Sequence, residues 1–517
     1  MCLVAAIARH GIAQPSQTTD AAREHDARGV ALGEAGQIAA AVLEFREAVR
    51  LDPRSSGAHV HLGLALERTD RPREAIAEYE HALVLAPESL DARYGLSSVA
   101  AKIGDLNGAI ALLRDVVAAM PQFAEARYNL GLDLWNRYTS SAGFRHKSDL
   151  DDARAALTDA TRLDPREPKF HVALGQLLAA TQDLAPAIEH LRTAVQLAPE
   201  DAANAYDLGL VLRLKGDLDL AEQQFRAATQ KNPQHAPAHR ALGLVLRQHG
   251  HFDDAAGELR RAVTLEPGDA QARQVLGTVL LKLDRTAEAL VELREAIRLD
   301  ADATEARVAL AQALAKAGRM DEAREQQAAI QRINAGHASE GQTLVLLQTA
   351  AQHLTKGEVA PAVAQLREAA ALSPGFAEAH FQLGLALQQA SSDAAGAEPA
   401  FARAIELNPD HVPARLHLAL LMMARGDRTS AAAQLRRAID IEPGLVEARR
   451  ALARLSLDAR DWNSAVAELQ RVLVWAPGSA EAHFDLAIGL QGQGDREAAA
   501  REFAVAQRLK PELRVPR

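Results

Sequence analysis

The chain of 517 residues contains a single cysteine, Cys2. One cysteine excludes an intrachain disulfide and a metal cluster held by several thiolates. Aromatic residues make up only 4% of the sequence although hydrophobic residues make up 48%, and the difference is largely Ala and Leu. That composition favours closely packed small helices over a β-sandwich, which depends on Val, Ile and aromatic side chains.

Basic charge and long apolar segments are also scarce. Lys and Arg number 58 against 68 Asp and Glu, which gives a net charge of −10. We therefore expect no nucleic-acid partner, because such a partner needs a basic face. No apolar run approaches the ~20 residues of a membrane helix, so no membrane span is expected. The excess of Arg over Lys and the high Ala content indicate a bacterial protein.

Motifs that carry catalysis or metal binding are missing as well. The sequence has no His-Glu-x-x-His, no phosphate-loop lysine and no Gly-x-Ser-x-Gly. The pairs His235 and His239, and His249 and His251, straddle turns without further ligands nearby, which favours solvated surface histidines over a metal site. Because no convergent set of reactive groups is present, we expect no enzyme activity, no cofactor and no metal.

The stretch Ala236–Asp269 shows how the chain is organised. Apolar or small residues at helical spacing predict a first helix containing Gly243, which ends at a break at Gly250. A second amphipathic helix begins before Ala255 and ends before Pro267, because proline has no N–H to donate and restricts the preceding residue. Gly costs ~1 kcal/mol relative to Ala inside a helix. We therefore predict that Gly243 and Ala255 lie where the two helices come closest.

This 34-residue pattern recurs about fourteen times along the chain. The small residue of the first helix is found at Gly29, Gly63, Ser97, Gly131, Gly175, Gly209, Gly243, Gly277, Ala311, Ala350, Gly384, Ala419, Ala453 and Ala487. The order of small and large residues, turn glycine and closing proline resembles the tetratricopeptide repeat. The resemblance implies an all-α fold, a right-handed α-solenoid of antiparallel helix pairs in which neighbouring repeats supply the core.

The spacing of the repeats also predicts a domain organisation. Residues 1–21 form an N-terminal extension, 22–334 hold repeats one to nine, 335–342 form an irregular hinge, 343–513 hold repeats ten to fourteen, and 514–517 form a tail. The extension has a short apolar run but no basic region. A signal remnant and a plain extension therefore both stay open. The compartment also stays open: it is the cytoplasm or, if the extension is a signal remnant, the periplasm or the exterior.

The resemblance further implies a protein or peptide partner, held in a concave groove that the first helix of each repeat lines. Aromatic residues at the fifth position of that helix are candidates for stacking on an extended peptide. The alternative is that these rings follow the family consensus and pack on the neighbouring repeat. The candidate groove residues are Tyr94, Tyr128, Asn129, Asp133, Tyr206, Asp207, Arg213, Arg240, Arg247, Gln274, Lys282, Phe381 and Phe484.

An insertion of ten residues interrupts the fourth repeat within Asn136–Leu150. It is basic and aromatic in an acidic protein, with Arg137, Tyr138, Arg145 and Lys147 as its candidate contact residues. Loops that break a repeat can be functional, which favours a finger over the groove or against an acidic partner. The alternative is a tolerated surface insertion, since lengthening such a loop costs little free energy.

Three functions are consistent with this sequence. The first is a non-catalytic scaffold that binds a protein or peptide in its groove. The second is a subunit that recruits substrates for a separately encoded enzyme, such as a glycosyltransferase, or for an envelope assembly machine. The third is self-assembly, because the last repeat is followed only by Glu512–Arg517 and an uncapped apolar end can pair with another copy.

Overall fold

The computed structural model describes residues 20–140, 147–390 and 394–513, and within these ranges the backbone forms 27 helices and no strand. The first half comprises α1 (Asp20–Glu34), α2 (Ile38–Leu51), α3 (Ser56–Arg68), α4 (Pro72–Leu85), α5 (Leu90–Lys102), α6 (Leu106–Ala119), α7 (Ala124–Ser140), α8 (Lys147–Leu163), α9 (Pro168–Ala180), α10 (Leu184–Leu197), α11 (Ala202–Lys215), α12 (Leu218–Lys231), α13 (Ala236–Gln248) and α14 (Phe252–Leu265). The second half comprises α15 (Ala270–Lys282), α16 (Thr286–Leu299), α17 (Thr304–Lys316), α18 (Met320–Thr355), α19 (Val359–Leu372), α20 (Ala377–Gln389), α21 (Ala394–Leu407), α22 (Val412–Ala424), α23 (Arg428–Ile441), α24 (Val446–Asp458), α25 (Trp462–Trp475), α26 (Ala480–Gln493) and α27 (Arg496–Leu509).

The repeat that contains α13 and α14 forms as its sequence predicts. Gly250 ends the first helix with a φ of +80°, a left-handed conformation that glycine adopts without steric cost. The second helix ends at Leu265, two residues before Pro267. Equivalent turns in the described repeats also contain a residue in the left-handed conformation. This residue is not always glycine, since Arg460 has a φ of +58°.

Small residues hold the two helices of a repeat together at close range. A Cβ atom added to Gly243 lies 2.6 Å from Leu259 Cγ and 3.3 Å from the carbonyl oxygen of Ala255. Leu259 and Ala255 are both fully buried. The predicted close approach at Gly243 and Ala255 is therefore confirmed. In other repeats the side chain that fills this space is an aromatic ring, as with Tyr79 opposite Gly63 and Phe225 opposite Gly209.

Helix α18 differs from the prediction. The irregular stretch expected at 335–341 is wrong, because one continuous helix runs through it from Met320 to Thr355. Neither Gly336 nor Gly341 adopts a positive φ, and the segment contains no proline to stop the helix. A single helix thus serves both as the second helix of repeat nine and as the first helix of repeat ten.

Two compact units divide the chain. The first unit joins both ends of the sequence, Met1–Ala153 and Leu346–Arg517, and the second unit is Arg154–Val345. Within each unit, the two helices of a repeat pack on each other and on the helices of the next repeat. The all-α class, built from consecutive antiparallel helix pairs, is thereby confirmed. The predicted partition into the repeat blocks 22–334 and 343–513 stays a prediction, although the segment between them is helical and not irregular.

Both ends of the chain contain residues outside the described ranges. The predicted N-terminal extension lies there up to residue 19, while Asp20 and Ala21 already belong to α1. The predicted tail at 514–517 is likewise outside the described residues. Among the described helices, none combines the length and the apolar character needed to cross a membrane.

Candidate protein-binding surface

The first helices of consecutive repeats contact one another directly. In the second unit these contacts join α9 to α11, α11 to α13, α13 to α15 and α15 to α17. In the first unit they join α1 to α3, α3 to α5, α5 to α7 and α24 to α26. Helices that meet across a repeat lie on the inner side of the local stack. We call the exposed side of these first helices in each unit the A-helix surface.

The aromatic residues predicted at the fifth position of the first helices are buried to different degrees. Tyr94 and Phe381 are buried, so their rings offer no surface to a partner, and the aromatic-strip interpretation is wrong for both. The Tyr94 ring lies 5.0 Å from the ring of Phe123, at the start of the next repeat. The ring centroid of Phe381 likewise lies 4.7 Å from that of His411, at the start of the next repeat. The A-helix surface therefore has fewer accessible rings than its sequence predicts.

The remaining aromatic candidates are half-buried. Tyr206 contacts Phe225 of its own repeat at 5.9 Å and His235 of the next at 5.0 Å, measured between ring centroids. Phe484 contacts Phe503 at 5.3 Å. Tyr128 is also half-buried. These rings retain partial exposure, so a role in binding stays a prediction for them.

Polar candidates bridge neighbouring repeats. The Asn129 side chain donates a 2.8 Å hydrogen bond to the Tyr94 hydroxyl, and Gln176 donates one of 2.9 Å to Asp207. Arg240 donates to Asp269 at 2.8 Å. Each bond links the first helix of one repeat to the following repeat. These side chains therefore fix the spacing of repeats along the A-helix surface.

Two carboxyl groups of this surface are shielded from water. Burial raises the pKa of Asp133 to about 7. Burial also raises the pKa of Asp207 to about 6, and the hydrogen bond from Gln176 limits the rise. Desolvation disfavours the charged form of an acid, so Asp133 is only partly ionised near neutral pH.

Cationic candidates of the second unit have a different environment. Arg213 and Arg247 are half-buried and occupy the same position of consecutive repeats, on α11 and α13. Within the described part of the chain, neither has an acidic side-chain partner, and the buried Nε of Arg213 has no hydrogen-bond partner at all. Lys282 is exposed and Gln274 is half-buried on α15. This part of the A-helix surface presents positive charge in an acidic protein.

The insertion in the fourth repeat is largely helical where the structure describes it. Arg137 and Tyr138 belong to the last turn of α7, and Lys147 is the first residue of α8. Arg137 donates to both carboxylate oxygens of the buried Asp149, at 2.8 and 2.7 Å. It also donates to Asn107 of the preceding repeat at 3.0 Å, so Arg137 joins two repeats and is not a free contact residue. Arg145 lies outside the described residues.

One of the predicted surface histidines is buried. His239 is 2% exposed, and its Nδ1 lies 2.6 Å from Glu258 while its Nε2 lies 3.1 Å from the carbonyl oxygen of Pro233. The prediction of a solvated side chain is wrong for His239, because this histidine joins the two helices of its repeat. The same position holds His25, His59, His171 and His483 in other repeats.

A long-range interface within the first unit was not predicted from the sequence. Helix α25 packs on α4 and α6, where the indole Nε1 of Trp475 donates a 2.9 Å hydrogen bond to Glu80. Arg449 donates to the same carboxylate at 2.7 Å. Asp105 accepts a 2.6 Å hydrogen bond from the backbone N–H of Gly444. We call Glu80, Asp105, Gly444, Arg449 and Trp475 the long-range interface.

The sequence contains a signal for this interface. Glu80 occupies a repeat position at which other repeats carry arginine, as at Arg46, Arg114, Arg192, Arg226, Arg260 and Arg294. Trp475 replaces the leucine found at Leu51, Leu85 and Leu265. A charge of the opposite sign and an indole with an N–H donor indicate positions with a partner outside the neighbouring repeat.

Comparison with known proteins identifies the repeat. Two sequence models of the tetratricopeptide repeat match the chain, one at residues 27–89, 145–202 and 206–270, and the other at 68–131, 280–346, 388–455 and 422–483. No curated protein matches the chain in sequence.

Several solved structures contain chains that are similar to part or most of this one. MamA 41-end from Desulfovibrio magneticus RS-1 is 26% identical, with coverage of 35% of this chain and 96% of its own and a TM-score of 0.32. YrrB, described as a TPR protein with an unusual peptide-binding site, is 22% identical over 44% of this chain and 96% of its own, with a TM-score of 0.25. The APC/C hetero-tetramer Cut9–Hcn1 is 13% identical over 96% of this chain and 95% of its own, with a TM-score of 0.39.

The repeat matches extend over most of the described residues, and the helix pairs, turn residues and small contact residues agree with them. The chain belongs to the tetratricopeptide repeat family, and its general class is that of a protein-interaction scaffold.

Proposed function

We propose that the chain is a non-catalytic scaffold that binds an acidic segment of a partner protein along the A-helix surface of its second unit. The supporting observation is the pair Arg213 and Arg247, which are half-buried, one repeat apart and without an acidic side-chain partner in the described residues. Most other arginines pair with a carboxylate nearby, as Arg298 does with Glu295. Unpaired arginines on this surface are therefore available to a partner.

The chemistry of arginine favours a carboxylate-bearing partner. A guanidinium presents several N–H donors in a planar fork that matches a carboxylate in a bidentate geometry. The buried Nε of Arg213 gains a hydrogen bond that it lacks in the free chain. A hydrogen bond to a charged group contributes about 1.5–3 kcal/mol. Two such contacts one repeat apart select an extended acidic segment over a neutral or basic one.

Neighbouring side chains add selectivity to this surface. Tyr206 is half-buried beside Arg240, and Asp207 is held by Gln176, so the acidic group of the surface is already occupied. Lys282 adds an exposed cation on α15. Burial of Asp207 also raises its pKa to about 6, so this carboxylate loses negative charge, and repels an acidic partner less, as the pH falls toward 6.

Charge reversal tests the proposal. Immobilised full-length chain is exposed to peptides of equal length that carry acidic, neutral or basic side chains, and the retained peptides are identified. We expect preferential retention of acidic peptides. The double variant R213E/R247E should lower their affinity about 100-fold, since each of the two lost contacts corresponds to at least about 1.4 kcal/mol, a factor of ten.

A matched control distinguishes this surface from general electrostatics. The variant R260E/R294E reverses the same number of charges, also one repeat apart, on the exposed face of the second helices α14 and α16. It should leave the peptide affinity unchanged. Equal loss in both variants would indicate only long-range charge, and retention of basic peptides would contradict the proposal.

A further inference from the structure

A pair of side chains joins the two helices in several repeats. The fourth-position histidine of the first helix contacts a glutamate 19 residues later through Nδ1, at 2.6 Å for His59 and Glu78 and at 2.6 Å for His239 and Glu258. The other ring nitrogen bonds a proline carbonyl, 3.1 Å away at both His59 and His239. This recurring pair is a structural link between helices and does not by itself indicate a ligand.

The second repeat adds a third side chain to this pair. His81 follows Glu78 by one helical turn on α4, and its ring lies 5.5 Å from that of His59 with 26° between the ring planes. One candidate ligand atom from each of His59, Glu78 and His81 lies within 4.8 Å of the others, the only such group of three in the described residues. The seventh repeat has Arg261 at the position of His81. The trio is therefore specific to one repeat.

Backbone contacts orient both imidazoles. His81 Nδ1 lies 2.8 Å from the carbonyl oxygen of Ala77, so Nδ1 donates its hydrogen there and Nε2 keeps a lone pair. His59 Nε2 donates to Pro53, which leaves Nδ1 facing Glu78. Metal-bound histidines are typically held in this way, with the second ring nitrogen donating to a carbonyl or carboxylate.

Burial and charge are also suitable for a cation. His59 is buried, Glu78 is half-buried and His81 is exposed, so the group lies at the surface with one side open to water. Within the described residues Glu78 has no arginine or lysine partner, whereas the equivalent Glu258 has Arg261 at 3.7 Å. The Glu78 carboxylate thus keeps its negative charge available in the second repeat.

We propose that His59, Glu78 and His81 bind a divalent transition-metal ion of the zinc class, with water completing its coordination. Two imidazoles and one carboxylate are ligands that Zn²⁺ accepts, and three protein ligands leave a position open. Binding displaces the hydrogen shared between His59 Nδ1 and Glu78 and releases it to solvent as a proton. The ion joins α3 to α4, and its expected effect is to stabilise the second repeat.

Metal titration of the full-length chain tests this site. Metal-free protein is titrated with Zn²⁺, and with Co²⁺ as a spectroscopic probe. We expect one tight site per chain, with the visible absorption of low-coordinate Co²⁺. Changes in the outer shell of a metal site cost 10–100-fold in affinity. The variant His81→Ala, which removes a direct ligand, should therefore weaken binding by about 100-fold or more.

Two further variants make the result specific. His337→Ala removes an exposed histidine of α18 and should leave the affinity and the Co²⁺ spectrum unchanged. Arg261→His places a third ligand beside His239 and Glu258 and should raise the stoichiometry from one ion to two. Because His81 is exposed, the chain should still fold when it is replaced by alanine, as circular dichroism can verify.

Three results would overturn the proposal. The first is an affinity of His81→Ala equal to that of the unaltered chain. The second is an equal loss of metal affinity in His81→Ala and His337→Ala, which would show that the ion binds to scattered surface histidines. The third is the absence of a second site in Arg261→His, because the same three ligand types in the same repeat geometry should then bind.

Discussion

Trp475 and Glu80 are 395 residues apart in sequence, yet the indole Nε1 of Trp475 donates a 2.9 Å hydrogen bond to Glu80 Oε1. Both side chains are buried, and Arg449 shares the same carboxylate oxygen at 2.7 Å. In a repeat array each unit is expected to contact only its neighbours. The first unit departs from this rule, because repeats from both ends of the chain meet at the long-range interface.

Removal of Arg449 should destabilise that interface strongly. Arg449→Ala removes the closer of the two arginines that pair with the buried Glu80 carboxylate and leaves only Arg471, at 3.6 Å. Breaking a buried pair outright costs about 3–5 kcal/mol, so we expect a loss near the lower end of that range. Because a repeat protein need not unfold in one step, the measurement should be local. We expect amide hydrogen exchange to accelerate in α4 and α25 together. Trp475→Phe removes the N–H donor and part of the ring but leaves the ion pairs of Glu80, so its effect should be smaller, with about 1–2 kcal/mol from the lost hydrogen bond.

Arg415 provides the matched control. It occupies the position of Arg449 one repeat earlier and bonds only Pro409 and Gln434 of its own repeat, at 2.9 and 2.6 Å. Arg415→Ala should therefore accelerate exchange in α22 and α23 alone. Unchanged exchange in α4 after Arg449→Ala would show that the contact between Arg449 and Glu80 contributes little.

The local fold was predictable because each repeat encodes its own geometry. Gly243, Gly250 and Pro267 set the closest approach, the turn and the end of the second helix, and all three act as the spacing predicts. The irregular segment at 335–341 was not predictable in this way. Glycine lowers helix stability without forcing a break, and α18 continues through Gly336 and Gly341.

Long-range and surface features followed less directly from the sequence. Periodicity predicts contacts one repeat away, so it carries no information about the partner of Glu80. The sequence places Tyr94 correctly at the fifth position of its helix. Its burial depends on contact with Phe123 of the next repeat, and a pattern of single positions does not reveal that contact. Arg213 and Arg247 were candidates because they occupy first-helix positions that are neither the small nor the leucine positions, but their lack of an acidic partner among the described residues is visible only in the structure.

Substitution of Gly243 tests the close packing within a repeat. Gly243→Ala places a Cβ atom 2.6 Å from Leu259 Cγ, and Leu259 is fully buried and cannot move freely. Overpacking of this kind costs about 1–3 kcal/mol. We expect a corresponding loss in the free energy of unfolding by chemical denaturation. The double variant with Leu259→Ala should lose less than the sum of the single variants, because the two side chains share one space.

Gly257, on the second helix of the same repeat, is the control for helix propensity. A Cβ atom added to Gly257 meets nothing within 4 Å, and the residue is exposed. Gly257→Ala should therefore stabilise the chain by about 0.5–1 kcal/mol. Equal and favourable effects at Gly243 and Gly257 would contradict the assignment of Gly243 to the helix contact.

Buried carboxyl groups make the stability of the chain depend on pH. Burial raises the folded-state pKa of Asp133 to about 7, from a usual value of 3.8. Below pH 3.8 the group is protonated in both states and has no effect. Between pH 3.8 and 7 the unfolded chain releases this proton first, so the folded state becomes less stable as the pH rises. Above pH 7 the loss is complete.

Asp133→Asn removes this titration while keeping the shape of the side chain. The variant should gain stability over the unaltered chain as the pH rises from 4 to 7, by about 2–4 kcal/mol, because each pKa unit corresponds to 1.36 kcal/mol. Thermal unfolding at several pH values measures the difference between the two proteins and cancels the contribution of other groups. Asp207→Asn is the comparison, and its gain should level off near pH 6, where burial places the pKa of Asp207. A difference between Asp133→Asn and the unaltered chain that stays constant from pH 4 to 8 would show that Asp133 ionises as it does in water.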